Sequence, residues 1–206
     1  MDIKEFSRLL RAKRKEVDTL LRREMPISAG NIAKRHFQDN FRKGGFVNGG
    51  LHPWQKTRRQ LSGGKSAASQ HGPLLSLRQH LFGGIRYEPG EYRVKILNDV
   101  PYAPTHNWGD TVSPAVTPKM RRFAWAKYYE ATGKPKQGTK GRKSAGKAPT
   151  VEAATPEAQM WKALALTKKK RLRIRIPQRQ FIGDSRELNE KIHADFERRL
   201  EAKLKL

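Results

Sequence analysis

Six histidines are the first residues of this chain that could do chemistry: His36, His52, His71, His80, His106 and His193. Imidazole binds metal ions and moves protons near neutral pH, but both uses need partners at set spacings. None of the six stands in an HxH or HExxH arrangement, so no metal site is expected. Cysteine is absent, which removes thiolate ligands, a thiol nucleophile and any disulfide. The string Gly63-Gly64-Lys65-Ser66 ends like a phosphate-cradling loop. Position 59 is arginine where that loop needs its first glycine, and no apolar strand precedes it, so it reads as a plain loop. Asp99 and Asp110 bracket the aromatic segment 100–109, and acids at loop ends more often cap turns than transfer protons. No nucleophile, base and orienting group come together. The expectation is a protein that is not an enzyme and holds no cofactor.

Arginine offers a different chemistry. In Lys168–Arg175 (KKKRLRIR) the residue types alternate, and a strand there would turn Leu172, Ile174 and Ile176 to one face. Arg171, Arg173 and Arg175 would form the other, a cationic face suited to a phosphate backbone or an acidic ring interior. A solvated outer face is an equal reading, and no interleaved aromatics support base stacking. The whole chain shares this bias. Its 44 Lys and Arg against 19 Asp and Glu give a net charge of +25, which draws polyanions and acidic proteins with little regard to sequence. Between Lys134 and Lys147 stand Lys134, Lys136, Lys140, Arg142, Lys143 and Lys147 with no acid and no large apolar residue. Such a stretch cannot offset the entropy of ordering alone, and reads as a mobile linker or an arm that orders on a partner.

With 206 residues, 36% of them hydrophobic, the chain suits one decorated domain, or one and a half, with a modest core. Charges run through MDIKEFSRLLRAKRKE, so no signal-peptide apolar region is expected there, and no run is long enough to span a bilayer. An intracellular soluble protein is the expectation.

The elements that must position these residues follow from periodicity. Ile3, Phe6, Leu10, Val17, Leu20 and Leu21 recur at helical steps, with Pro26 expected to interrupt the pattern and leave one kinked helix or two. Ile32, Ala33, Phe37 and Phe41 mark a second helical stretch that ends at Gly44-Gly45. Residues 44–73 read as a long loop anchored at Trp54, and Leu74–Phe82 as a helical turn or two. Alternation in 85–87 and 92–96 around Pro89-Gly90 predicts a β-hairpin. Helices are expected over Pro118–Ala131 and from Thr155 to Leu166, and a strand over Leu172–Ile176. A last helix opens at Asp184, with Glu187 at capping-box spacing. Its stripe of Leu188, Ile192, Phe196, Leu200 and Leu204 predicts packing on a sheet. The pattern argues an α+β fold: N-terminal helices, a small antiparallel sheet with a hairpin, a C-terminal helix on that sheet and a helical insertion. The expected divisions are an N-terminal helical region (1–43), a loop and hairpin core (44–112), an insertion (113–166) with its basic linker (134–155), and a closing strand and helix (167–206).

Four segments, in order, carry a family resemblance. They are Gly50-Leu51-His52-Pro53-Trp54; Leu75-Ser76-Leu77-Arg78 followed by Gly84-Ile85; Val100-Pro101-Tyr102-Ala103-Pro104-Thr105-His106-Asn107-Trp108-Gly109; and Ile176-Pro177-Gln178-Arg179-Gln180-Phe181-Ile182-Gly183. Together they resemble the phage virion morphogenesis proteins, the tail-completion and neck components of Mu-like tailed phages and prophages. The resemblance runs from about residue 32 to the C-terminus, and the insertion 113–166 exceeds the family's pattern. It implies a structural virion protein, assembled in the bacterial host cytoplasm, that closes into a homo-oligomeric ring at the head–tail junction. A hexamer would be its first form, other neck and tail proteins its partners, with DNA in the lumen left open and no membrane involved. The motif residues Trp54, Leu77, Arg78, Pro101, Tyr102, Ala103, His106, Trp108, Gly109, Pro177, Arg179, Phe181 and Gly183 would then maintain the fold. Tyr102 and Trp108 in particular would bury large area. The alternative is a basic nucleic-acid-binding protein, argued from charge alone.

Overall fold

The computed structural model describes residues 2–61, 71–132 and 155–204; the Gly63–Ser66 string and the Lys134–Lys147 stretch lie outside them. The fold is α+β, and the chain divides into one compact unit of residues 1–110 and 176–206 and a second of residues 111–175.

In the first unit, helix α1 (Ile3–Thr19) runs through a π-helical turn (Leu20–Glu24) into α2 (Met25–Lys43). Pro26 does not break this helix. The wider turn comes just before it, with Met25 N–H bonding to the Leu20 carbonyl, so Pro26 falls in the first turn of α2, where its missing donor costs little. The Arg22 carbonyl, four residues earlier, instead accepts the Tyr92 N–H at 3.3 Å. Helix α2 stops at Gly44, whose φ of 67° is the left-handed conformation that glycine adopts without strain.

Strand β1 (Gly45–Val47) pairs antiparallel with β2 (Leu51–Pro53) across an Asn48-Gly49-Gly50 turn. A loop was expected here, although Asn-Gly is a hairpin signal. A single turn, α3 (Arg58–Leu61), follows. Of the helical turn or two expected over residues 74–82, one turn forms, at the end of the segment. Leu74 and Gln79 both have positive φ, and only α4 (His80–Gly83) is helical. The expected hairpin is present as β3 (Ile85–Gly90) and β4 (Arg93–Asn98), with its tip at Glu91-Tyr92. It packs on α2 at Gly30, where a Cβ would come within 2.3 Å of the Tyr87 ring.

Helix α5 (Ala103–Trp108) precedes the second unit. That unit begins and ends in the short ladder of β5 (Asp110–Val112) with β6 (Ile174–Ile176), and holds α6 (Pro118–Thr132) packed on α7 (Pro156–Leu166). Small residues at their contact, Ala124, Ala158 and Ala165, are buried and let the helices approach closely. The Thr155 hydroxyl caps α7 by accepting from Ala158 N–H.

The last helix, α8 (Arg186–Leu204), returns to the first unit. Its N-cap is Ser185, not Asp184: the buried Ser185 Oγ accepts the Leu188 N–H at 3.2 Å. The helix packs on α2 and α1, not on a sheet as expected. Among the described residues the strands form three separate two-stranded ladders, with no broad sheet to receive it. The core gathers Phe37 and Phe41 of α2 with Phe46, Trp54, Leu81, Ile85, Ala103, Phe181 and Leu188.

Candidate functional site

Between Pro177 and Ser185 the chain has no regular hydrogen-bonded partner strand, yet it carries the buried Phe181 ring into the core. Burying a ring this way buries peptide groups too, and each needs a partner. Asn107 supplies three: its Oδ1 accepts from Phe181 N–H (2.8 Å) and Ile182 N–H (3.0 Å), and its amide donates to the Ile182 carbonyl (3.0 Å). Asn40 donates to the Phe181 carbonyl, and Trp54 Nε1–H donates to the Gln180 carbonyl at 2.8 Å. Arg179 adds two more ties, N–H to the His106 carbonyl and Nε–H to the Gln55 carbonyl. The four motifs of the resemblance therefore do not all behave alike. Trp54, Ala103, Arg179 and Phe181 are brought together in the core, with Pro177 and Gly183 half-buried beside them.

Tyr102 and Trp108 do not bury large area. They are 45% and 63% exposed, because α5 is a short helix whose inner face is taken by Ala103 and Asn107, one turn apart. Small and polar residues suit that face, since it must meet the peptide groups of 181 and 182. Leu77, at 87% exposed, and Arg78 also stay outside, and so does Pro101. Gly109 ends α5 with φ of 75°, against the Gln178 backbone.

Arg179 is 6% exposed and has no carboxylate partner among the described residues; burial alone pulls its pKa down. Beside it, burial first and the Arg179 charge second lower the pKa of His106, whose Nδ1 is buried without a hydrogen bond among the described residues. The two line a cavity of about 280 Å³ together with Tyr102, Ser76, Leu75 and Leu81.

In the second unit, Arg171, Arg173 and Arg175 are all exposed, as a cationic strand face requires. The strand itself is only Ile174–Ile176, and Ile174 is 42% exposed, so the opposite face is not sealed. Asp99, one of the two acids weighed for proton transfer, forms a surface ion pair with Arg86. Among the described residues no three His, Asp or Glu side chains are placed to share a metal ion, and no helix is long and apolar enough to cross a membrane.

Asn40, Asn107, Ser185 and His36 do structural work that the sequence did not assign. An Asn three residues after Phe37 on an apolar stripe was the available signal for Asn40. His36 is buried with Nε2 3.1 Å from Ser185 Oγ, and burial, then Lys191 and Lys43, lower its pKa below the ordinary 6.5. The native state therefore resists protonating His36 and His106, while the unfolded chain takes up protons freely below 6.5. Stability should be constant above that pH and fall as pH drops below it. Thermal melts from pH 8 to pH 5 check this, and the dependence should flatten in His36→Gln if His36 contributes as described.

Against family models, curated proteins and solved structures the chain was compared in full, and none of the three gives a match.

Proposed function

We propose that this chain is a structural subunit of a tailed-phage virion, of the tail-completion or neck class, which closes into a ring at the head–tail junction. The observation that carries the reading is the split within its most characteristic segment. Ala103 and Asn107 anchor α5 in the core, while Tyr102 and Trp108 present two large aromatics to the outside. Exposed aromatics on a rigidly held helix are what protein interfaces use as anchors. Ile3, Phe6 and Leu10 of α1 and Leu77 add further exposed apolar side chains. A cyclic ring needs heterologous contacts, in which one patch meets a different patch on the next copy. The first ring to look for is a homo-hexamer, joined by other neck and tail proteins and assembled in the bacterial host cytoplasm.

The experiment is the double variant Tyr102→Ala/Trp108→Ala. Its monomer should melt within about 1 kcal/mol of the parent, because exposed side chains contribute little to folding. Its ring, followed by light scattering and negative-stain images, should be lost. A ring that forms unchanged sinks the reading. The exposed arginines Arg171, Arg173 and Arg175 support the other reading, a basic nucleic-acid-binding protein. A parent chain that stays monomeric and binds duplex DNA with steep salt dependence would favour it.

A further inference from the structure

A buried guanidinium is costly unless an anion faces it. Arg179 spends one donor, Nε–H, on the Gln55 carbonyl, and no carboxylate among the described residues offsets its charge. Its surroundings make the gap specific. The cavity beside it is concave and small, at about 280 Å³. Leu74, Leu75 and Leu81 give it aliphatic walls, and Tyr102, Ser76, His80 and Thr57, whose hydroxyl donates to Gln60 Oε1, complete its lining. His106 lines the same cavity, and its buried Nδ1 has no hydrogen-bond partner among the described residues.

We propose that this recess receives a carboxylate on a short aliphatic stem, the side chain of an acidic residue of a partner protein. The terminal nitrogens of a guanidinium form a fork that matches the two oxygens of a carboxylate. The leucines meet the methylene stem, and Ser76 is the lining residue whose hydroxyl can add a donor. Shape and charge select this occupant. A duplex holds its phosphates on a convex backbone that meets exposed cations, whereas a side chain reaches into a recess. Charge also disfavours another copy of this chain as the donor, since each carries +25. The proposal does not depend on the chain joining a ring.

The test uses the full-length protein and sodium butyrate as the probe, titrated at constant ionic strength against sodium chloride. Nitrogen NMR follows the Arg179 Nε–H and the His106 ring. Butyrate is expected to shift both signals saturably, with a Kd on the order of millimolar, and to raise the pKa of His106. Arg179 itself is left intact because its Nε–H supports the fold. Ser76→Glu instead places a carboxylate on the cavity wall. That variant should weaken butyrate binding roughly tenfold or more and raise the His106 pKa without any added ligand. Three outcomes overturn the proposal: no saturable shift beyond that of chloride, a butyrate response unchanged in Ser76→Glu, or tighter saturation by inorganic phosphate. The last would assign the recess to phosphate groups, as on nucleic acid.

Discussion

Phe181→Ala is expected to be the most damaging single truncation in the first unit, costing about 3–5 kcal/mol of folding stability. The ring is 1% exposed and lies 5.1 Å from the ring of Phe41, with Phe46, Trp54 and Leu188 in the same core. Removing it takes away the apolar area and leaves a cavity, because the helix and hairpin that surround it are tied elsewhere. A domain of this size holds about 5–15 kcal/mol in total, so the variant should be marginal at physiological temperature. Denaturant unfolding checks the figure. A loss under about 1 kcal/mol would mean that the segment 177–185 does not close the core.

Asn107→Ala should come next, and for a different reason. It removes little apolar area, but it strands the N–H groups of Phe181 and Ile182 and the carbonyl of Ile182. A buried polar group left without a partner costs about 1–3 kcal/mol, and water can reach only part of this site. The expected loss is about 3 kcal/mol, large for the side chain of a polar residue. Hydrogen exchange gives a second readout: the amides of 181 and 182 should lose protection well before those of α2. Equal protection in the variant and the parent would show that other groups hold the segment.

These two residues also mark where sequence reading works and where it stops. Helix α2 was legible because Ile32, Ala33, Phe37 and Phe41 repeat within a few turns, and Gly44 supplies the left-handed stop. The hairpin of β3 and β4 was legible for the same reason, since alternation and a tight turn are local signals. The burial of Phe181 was legible too, because a phenylalanine between a proline-terminated strand and a helix cap has little choice. The opening of α8 was placed one residue early: Asp184 and Ser185 are both good N-caps by type, and only the contact with His36 makes Ser185 the one used.

The amino-acid sequence by itself determined the period of each long element, their α+β combination and the strong positive charge. Those properties depend on neighbours within one or two turns. The tertiary structure decided which side of a short element faces inward. Helix α5 has six residues, too few for a stripe, so its burial is set by peptide groups 74 and 75 positions away. They take Asn107 inward and leave Tyr102 and Trp108 out. The partner of the Arg22 carbonyl, which Pro26 has no N–H to supply, was also decided there: it is the Tyr92 N–H at the tip of a distant hairpin. The enclosure of Arg179 was decided there as well. Arginine is a surface residue by type, and only packing from Gln55, His106 and the loop before α4 encloses it.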